Sequence, residues 1–148
     1  MGEWLNGETH GRGKLSYSNG NVCQGEFEGG EALRGSLTYA NGDAYEGNFQ
    51  DGCGHGKGKL IYANGDIYDG EFANDQRHGK GKMVYADGVV YEGEFRSDKA
   101  HGKGALSLRN GDIYKGQWQN DMKHGKGKYT KANGDVYVGR WQHDIFLD

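Results

Sequence analysis

The stretch that decides the fold is Tyr68-Asp69-Gly70-Glu71-Phe72, followed by His78-Gly79-Lys80-Gly81 and then by Asp87-Gly88. Its tyrosine recurs at an interval of 23 residues (68 minus 45) at Tyr45, Tyr68, Tyr91, Tyr114 and Tyr137. The repeated unit is Tyr-x-Gly-x-(Phe/Trp), a turn that we predict to span about six residues, His-Gly-Lys-Gly and (Asn/Asp)-Gly. A fixed period of this kind indicates a repeat protein, in which neighbouring units share their buried surface.

Residues 1–148 form one predicted repeat array, with units that begin near residues 1, 23, 45, 68, 91, 114 and 137. The second unit departs from the pattern, because Cys23 replaces the tyrosine and Ala32-Leu33 replaces His-Gly. Since Met1 falls inside a unit, we expect one repeat array that is a fragment of a longer array. Residues 142–148 abandon the pattern, and we predict that they form a C-terminal cap.

Apolar side chains alternate within each unit, as in Tyr45, Gly47 and Phe49, which is the period of a β-strand. Asn64-Gly65 and its counterparts are typical of two-residue hairpin turns. The sequence therefore predicts an all-β fold. We expect an elongated, single-layer, twisted antiparallel meander of about 13 strands, built from consecutive β-hairpins.

Each face of this sheet has a predicted role. A glycine between two aromatic residues leaves room for a ring of the neighbouring strand, so the rings are expected to line one groove. On the opposite face, acidic residues such as Glu71 are expected beside lysines such as Lys57. The predicted groove aromatics are Tyr45, Phe49, Tyr68, Phe72, Tyr91, Phe95, Tyr114, Trp118, Tyr137 and Trp141.

Charge is distributed unevenly along the chain. The 18 Lys and Arg and 21 Asp and Glu give a net charge of −3. Residues 1–98 hold 9 basic and 16 acidic residues (9 minus 16, or −7), whereas residues 99–148 hold 9 and 5 (9 minus 5, or +4). The negative total charge argues against a site for anionic lipid headgroups. If one exists, it has to lie toward the C-terminus, with Lys103, Lys126 and Lys128 as contacts. The sequence lacks a continuous basic path with exposed aromatic residues, so it does not indicate nucleic-acid binding.

Catalytic motifs are missing from the sequence. Five histidines recur in or near one position of the repeat, which favours packing and hydrogen bonding at a turn over catalysis: His10, His55, His78, His101 and His124. The Gly-Lys pairs lack the Ser or Thr and the helix of a phosphate-binding loop. Neither a nucleophile elbow nor a zinc-protease motif is present. We predict no enzymatic activity and no bound cofactor.

Cys53-Gly54-His55 breaks the period and leaves two interpretations open. A buried, unreactive turn cysteine is one of them. The other is a zinc ion at a two-fold contact, bound by Cys53 and His55 from each of two subunits, because two ligands from one chain do not complete a tetrahedral site. The two cysteines of the chain otherwise fit a reducing compartment.

The combination of Tyr-x-Gly-x-(Phe/Trp), His-Gly-x-Gly and (Asn/Asp)-Gly resembles the MORN repeat (membrane occupation and recognition nexus), over essentially the whole chain. The sequence is similar to the multi-repeat MORN scaffold proteins of apicomplexan and trypanosomatid parasites, which self-associate in membrane-associated cytoskeletal and cell-division structures. The resemblance implies a non-enzymatic scaffold that docks protein partners. Its alternative is a module that binds phosphoinositides or anionic membranes. The implied location is cytoplasmic, at the cytoskeleton or the inner face of a membrane.

Self-association is expected from the residues as well. A single-layer sheet leaves its aromatic groove partly covered, and Ile145-Phe146-Leu147 adds apolar surface, so we predict a homodimer. The net charges of −7 and +4 attract when the two chains run in opposite directions, which favours an antiparallel pair.

Overall fold

The computed structural model describes residues 4–5, 8–9, 11–29, 31–50 and 53–148, and the side chains of residues 11–29, 32–50 and 54–148. Within these residues every regular element is a β-strand. The strands are β1 (Trp4–Leu5), β2 (Glu8–Thr9), β3 (Gly11–Ser16), β4 (Val22–Glu28), β5 (Glu31–Thr38), β6 (Ala44–Gln50), β7 (Cys53–Ile61), β8 (Ile67–Ala73), β9 (Gln76–Val84), β10 (Val90–Arg96), β11 (Lys99–Ser107), β12 (Ile113–Gln119), β13 (Met122–Thr130), β14 (Val136–Gln142) and β15 (Ile145–Phe146).

Strands β3 to β15 form a 13-stranded sheet in which the spatial order is the order of the chain. Their pairing is antiparallel, and β1 and β2 form a separate two-stranded pair. The predicted all-β antiparallel meander is therefore confirmed. The chain divides into two compact units, residues 1–76 and residues 77–148.

The turn inside four of the described hairpins is tighter than the sequence indicated. Strands β8 and β9 are joined by Asn74 and Asp75, whose φ angles of 51° and 65° are both positive. Two successive positive φ angles are those of a type I′ hairpin turn, and Asn and Asp tolerate this region better than most residues. The same pairs of positive angles occur at Ser97-Asp98, Asn120-Asp121 and His143-Asp144. The predicted six-residue turn is wrong, because both strands extend to this two-residue turn.

The Asn-Gly loops between hairpins are longer than the predicted two-residue turns. The Tyr62 N–H donates to the Asp66 carbonyl at 2.8 Å, and the Gly65 N–H donates to the Tyr62 carbonyl at 2.9 Å. Gly65, with φ of 101°, is the last of three loop residues. Such a loop is a turn followed by a left-handed residue, for which glycine is favoured. The prediction of a two-residue turn at Asn64-Gly65 is wrong for this reason.

Candidate functional site

The predicted groove aromatics are the core of the protein. Nine of the ten are buried, and Tyr137, which is 38% exposed, is the exception. Within a hairpin Tyr45 meets Phe49 edge to face at 5.1 Å between ring centroids, and it meets Phe72 of the next hairpin at 5.0 Å. Tyr114 makes the same two contacts with Trp118 and Trp141, at 5.2 and 5.3 Å. The rings therefore pack on one another within the chain.

Facing glycines make room for each tyrosine ring. Gly47 pairs with Gly58, and Gly116 pairs with Gly127. A Cβ atom on Gly58 or Gly127 would overlap the ring of the tyrosine on the neighbouring strand. These glycines therefore accommodate a tyrosine ring, as predicted, because the ring lies directly against their backbone.

A β-bulge gives the tyrosine hydroxyl its hydrogen-bond partner. The register of β12 and β13 shifts between Gly116 and Trp118, at Gln117. The Tyr114 hydroxyl donates to the carbonyl of Gln117 at 2.9 Å. The same bond joins Tyr45 to Asn48, Tyr68 to Glu71 and Tyr91 to Glu94, at 2.6 to 2.8 Å. Burial raises the pKa of Tyr45 and of Tyr114 to about 12, so both hydroxyls stay protonated as donors.

Cys23 occupies the tyrosine position of the irregular second unit. It pairs with Leu15 on one side and Leu37 on the other, and it is buried. Burial raises the pKa of its thiol, which disfavours the reactive thiolate. Cys23 therefore packs as a small apolar residue.

Four aspartates whose role the sequence did not indicate join successive hairpins. In each, the Oδ1 atom accepts the backbone N–H of the residue that precedes the histidine one repeat earlier: Gly54 to Asp75 (2.5 Å), Arg77 to Asp98 (2.8 Å), Ala100 to Asp121 (2.7 Å) and Lys123 to Asp144 (2.8 Å). The aspartate N–H donates back to the carbonyl of that residue. The recurrence of Asp at this spacing was the available signal, but the predicted six-residue turn concealed its role.

Cross-strand charge pairs change character along the outward face. Within residues 1–76, Lys57 lies opposite Glu71 and Lys59 opposite Asp69, as predicted. Near the C-terminus, Lys115 lies opposite Lys128 and Lys126 opposite Arg140. Like charges placed directly opposite destabilise a sheet. This part of the face, which also carries the exposed Val138, is therefore suited to a negatively charged partner.

The predicted headgroup lysines are exposed. Lys126 and Lys128 belong to the basic surface described above, whereas Lys103 lies opposite the uncharged Gln117. The backbone N–H of Lys103 donates to the Glu94 carboxylate at 2.5 Å. Lys103 is therefore separated from the two other lysines by β12 and has a carboxylate nearby.

Two of the predicted turn histidines lie at one cavity, whereas His10 lies outside the described residues. His101 and His124 line a cavity of about 400 Å³ together with Glu94 and Gln117. Nδ1 of His124 is buried without a hydrogen-bond partner, so the predicted hydrogen bonding does not hold for this atom. Among the residues that the structure describes, no three His, Cys, Asp or Glu side chains are placed to hold a metal ion.

The predicted zinc ligands are only partly described. His55 is half-buried on β7, and the backbone of Cys53 begins that strand. The side chain of Cys53 lies outside the described part of the chain. A zinc ion shared between subunits through Cys53 and His55 stays a prediction.

Exposed apolar side chains are concentrated on the last hairpin. Val138 is 68% exposed and Ile145 is 65% exposed, and Val136, Tyr137 and Leu147 are also exposed. Strand β15 pairs with β14 through Trp141 and Phe146. Tyr137 points to the opposite face from Val136 and Val138, because side chains alternate along a strand. We call Val136, Val138, Ile145 and Leu147 the terminal apolar surface. In the described residues, no helix is long and apolar enough to cross a membrane.

Comparison with solved structures supports the fold. The first is the SAS-4 (dCPAP) TCP domain of Drosophila melanogaster, solved in complex with a proline-rich motif of Ana2 (dSTIL). It aligns with a TM-score of 0.57 and 18% identity, over 86% of this chain and 71% of that chain. Selenomethionine-substituted virginiamycin B lyase of Staphylococcus aureus aligns with a TM-score of 0.24 and 11% identity, over 88% of this chain and 55% of that chain. This TM-score is too low to establish a shared fold. The curated proteins searched gave no match.

These features define a repeat protein of consecutive β-hairpins with a shared row of rings. The MORN repeat model matches residues 1–22, 45–67, 68–90, 91–113 and 114–136. The chain therefore belongs to the MORN repeat family, whose repeats are protein-interaction and membrane-interaction modules. Residues 23–44 are the irregular unit that contains Cys23 and Ala32-Leu33, and they fall between the matched segments.

Proposed function

We propose that this chain is a non-enzymatic structural scaffold that self-associates and docks protein partners at a membrane-associated cytoskeletal structure. The observation that carries the proposal is the terminal apolar surface, because exposed apolar patches mark contact surfaces. Most of the predicted groove rings are buried and are therefore less accessible to a partner than the terminal apolar surface. The complex of the SAS-4 TCP domain with a proline-rich motif gives one example of a similar fold that binds a protein segment.

Sedimentation velocity of a surface variant tests self-association. We expect the double variant Val138→Ser/Ile145→Ser to dissociate at concentrations at which the wild-type chain is a dimer, because it removes apolar contact area. The matched control is Ile113→Ser, which changes an exposed residue at the start of β12. Equal association of the double variant and the wild type would overturn the role of the terminal apolar surface.

The proposed pair is antiparallel. The segments with net charges of −7 and +4 then lie side by side, and such exposed charges act mainly on orientation and association rate. Crosslinking with mass spectrometry is expected to join residues of the N-terminal segment to residues of the C-terminal segment. Crosslinks that join only equivalent ends of the two chains would contradict this orientation.

Binding to phosphoinositides or other anionic membranes is the second candidate function. The specific observation in its favour is the basic surface formed by Lys115, Lys126, Lys128 and Arg140. In it lysine faces lysine, and lysine faces an arginine that also forms an ion pair with Asp148. Anionic headgroups would relieve this repulsion, with about 1 kcal/mol for each basic residue near the surface. Val138 of the terminal apolar surface is paired with Lys128, so the two candidate functions use adjoining side chains of one face.

Sedimentation with vesicles tests the membrane function. If it is correct, vesicles with phosphatidylinositol 4,5-bisphosphate pellet the chain, and added salt releases it. Lys126→Gln/Lys128→Gln should weaken this binding. The control Lys57→Gln/Lys59→Gln changes lysines in the same repeat positions that face carboxylates instead. Equal binding of both variants, or binding that is independent of salt, would count against a headgroup site.

A further inference from the structure

One position of the repeat is filled by a different residue in each hairpin. It precedes the repeated histidine and is occupied by Gly54, Arg77, Ala100 and Lys123. The backbone at this position is held by the same aspartate contact in all four cases. The side chains can therefore be compared directly, because the backbone frame is constant and the residue changes.

Lys123 shows what a long cationic side chain does at this position. Its ammonium lies 5.6 to 5.9 Å from the ring centroids of Tyr114, Trp118, Tyr129 and Trp141. It also lies 3.8 Å from Asp144, and the side chain is only 16% exposed. Rings within about 6 Å attract a cation through their negative faces, and the carboxylate adds a charge.

Arg77 occupies the position in a similar manner. Its guanidinium carbon lies 5.4 Å from the ring centroid of Phe95, and its Nε lies 3.4 Å from Asp98. The side chain is 18% exposed. Two repeats therefore place a cation of the chain itself between aromatic rings and the turn aspartate.

Ala100 leaves this position without a cation. A cavity of about 310 Å³ lies beside it, within the size range of ligand pockets, and is lined by Tyr91, Leu106, Trp118 and Asp121. These are the residues one repeat before Tyr114, Tyr129, Trp141 and Asp144, so the cavity occupies the place that Lys123 fills. We call it the Ala100 cavity.

The walls of the Ala100 cavity keep the geometry of the filled site. The rings of Tyr91 and Trp118 meet edge to face at 5.3 Å, as Tyr114 and Trp141 do. The Trp118 indole N–H donates to the Gly104 carbonyl at 3.0 Å, which fixes the orientation of this ring. Tyr85 and Asp87 extend the wall, so a second carboxylate lies at the cavity.

We propose that the Ala100 cavity binds a lysine or arginine side chain of a protein partner, in the place that Lys123 takes in the next repeat. The proposal deepens the proposed protein docking and rests on it. The rings and Asp121 both face the positive charge of the guest, as the equivalent groups do for Lys123. The negative wall disfavours acidic guests, and the lack of a cation distinguishes this repeat from its neighbours.

The probe is Nα-acetyl-lysine N-methylamide, titrated into the isotope-labelled full chain while the Trp118 indole N–H signal is followed by NMR. We expect saturable shifts in the millimolar range, since a single side chain makes few contacts. The uncharged norleucine analogue should bind at least about ten-fold more weakly, because it lacks the charge that the rings and carboxylate attract. Equal shifts for both compounds, or no saturation with the lysine compound, would overturn the proposal.

Three variants separate this site from a non-specific effect. Ala100→Lys should abolish binding, because its own side chain fills the cavity. Lys123→Ala should create a second site, seen as new shifts of the Trp141 indole N–H. Asp121→Asn keeps the Oδ1 acceptor and should weaken binding several-fold by removing charge. If the Ala100 cavity binds the probe but Lys123→Ala creates no second site, the comparison between repeats is wrong and the proposal is overturned.

The outcome is separable from that of self-association. The same titration with the Val138→Ser/Ile145→Ser variant should give the same shifts, because the cavity lies away from the substituted residues in sequence and uses other side chains. Failure of the probe to bind, with association intact, would reject the cavity and leave the scaffold proposal standing.

Discussion

The tyrosine of each repeat combines two stabilising contacts. Its ring covers two facing glycines, and its hydroxyl satisfies the carbonyl at the bulge, as Tyr114 does for Gln117. The last repeat differs, since the Arg140 carbonyl, which is the equivalent acceptor, receives the Leu147 N–H at 2.8 Å. Tyr137 is correspondingly more exposed. The two tyrosines therefore allow one contact to be tested in two contexts.

Removal of the Tyr114 hydroxyl is expected to destabilise the protein. Tyr114→Phe removes the hydrogen bond to the Gln117 carbonyl, which costs about 0.5–1.5 kcal/mol in the free energy of unfolding. Tyr137→Phe is the matched control and should change it by less than about 0.5 kcal/mol. Urea unfolding measures both. A loss for Tyr114→Phe as small as that of the control would show that the hydrogen bond contributes little.

Alkaline pH is expected to destabilise the fold through these buried tyrosines. In the folded chain the pKa of Tyr45 and of Tyr114 is about 12, above the ordinary value of 10. The stability that these groups contribute is therefore complete below pH 10. It falls as pH rises toward 12, because the unfolded chain releases its protons first.

Urea unfolding between pH 9 and pH 11 checks this sign. The free energy of unfolding of Tyr114→Phe should decrease less steeply with pH than that of the wild type. The reason is that unfolding of the variant releases roughly one proton fewer per molecule. Stability that is flat or rises over this range would contradict the protonated, buried hydroxyl.

The recurring tyrosines and glycines made the ring row predictable, because aromatic residues at a period of two must share a face. Side-chain contacts between repeats were harder to foresee. The Ala100 cavity depends on the absence of a long side chain at a position whose neighbours hold Arg77 and Lys123. Since the sequence does not show which residues point toward the rings, the cavity beside Ala100 could not be predicted from the sequence.

The hairpin is the element that carries the architecture, and its two connections are of different kinds. The three-residue loops contain Asn-Gly or Asp-Gly, whereas the two-residue turns contain pairs such as Asn74-Asp75. Sequence patterns identified the strands correctly but assigned the tight turn to Asn-Gly. Asn-Gly is favourable in both loop types, and only the hydrogen-bond pattern distinguishes them. The turn aspartates therefore acquired a role only from the structure.

Each turn aspartate is expected to stabilise the hairpin that precedes it. Asp75→Gly removes the acceptor for the Gly54 N–H, while glycine still tolerates the positive φ of 65°. We expect the Gly54 amide to exchange with solvent at least about ten-fold faster, since this contact closes the local structure. Amide hydrogen exchange followed by NMR measures the rate.

Asp75→Asn is the matched control for this change. Asparagine keeps an Oδ1 acceptor and also tolerates positive φ, so the Gly54 amide should exchange at close to the wild-type rate. Equal acceleration in both variants would assign the effect to the negative charge, and no acceleration in Asp75→Gly would show that the contact is dispensable.

Within each unit the described strands pair with their neighbours in sequence, which is why a short sequence period was enough to predict the topology. Surfaces that face other molecules were less predictable. The net charge of each segment was evident from the sequence, but the opposition of Lys115 and Lys128 follows from the strand register. Likewise, the burial of the predicted groove aromatics moves the proposed contact to the terminal apolar surface.

The most direct test of the scaffold proposal is the mass of the full chain in solution, measured by multi-angle light scattering at tens of micromolar. A scaffold that self-associates through the terminal apolar surface should have the mass of two 16.3 kDa chains, and the mass should decrease on dilution. A mass of one chain at every concentration would contradict the proposal.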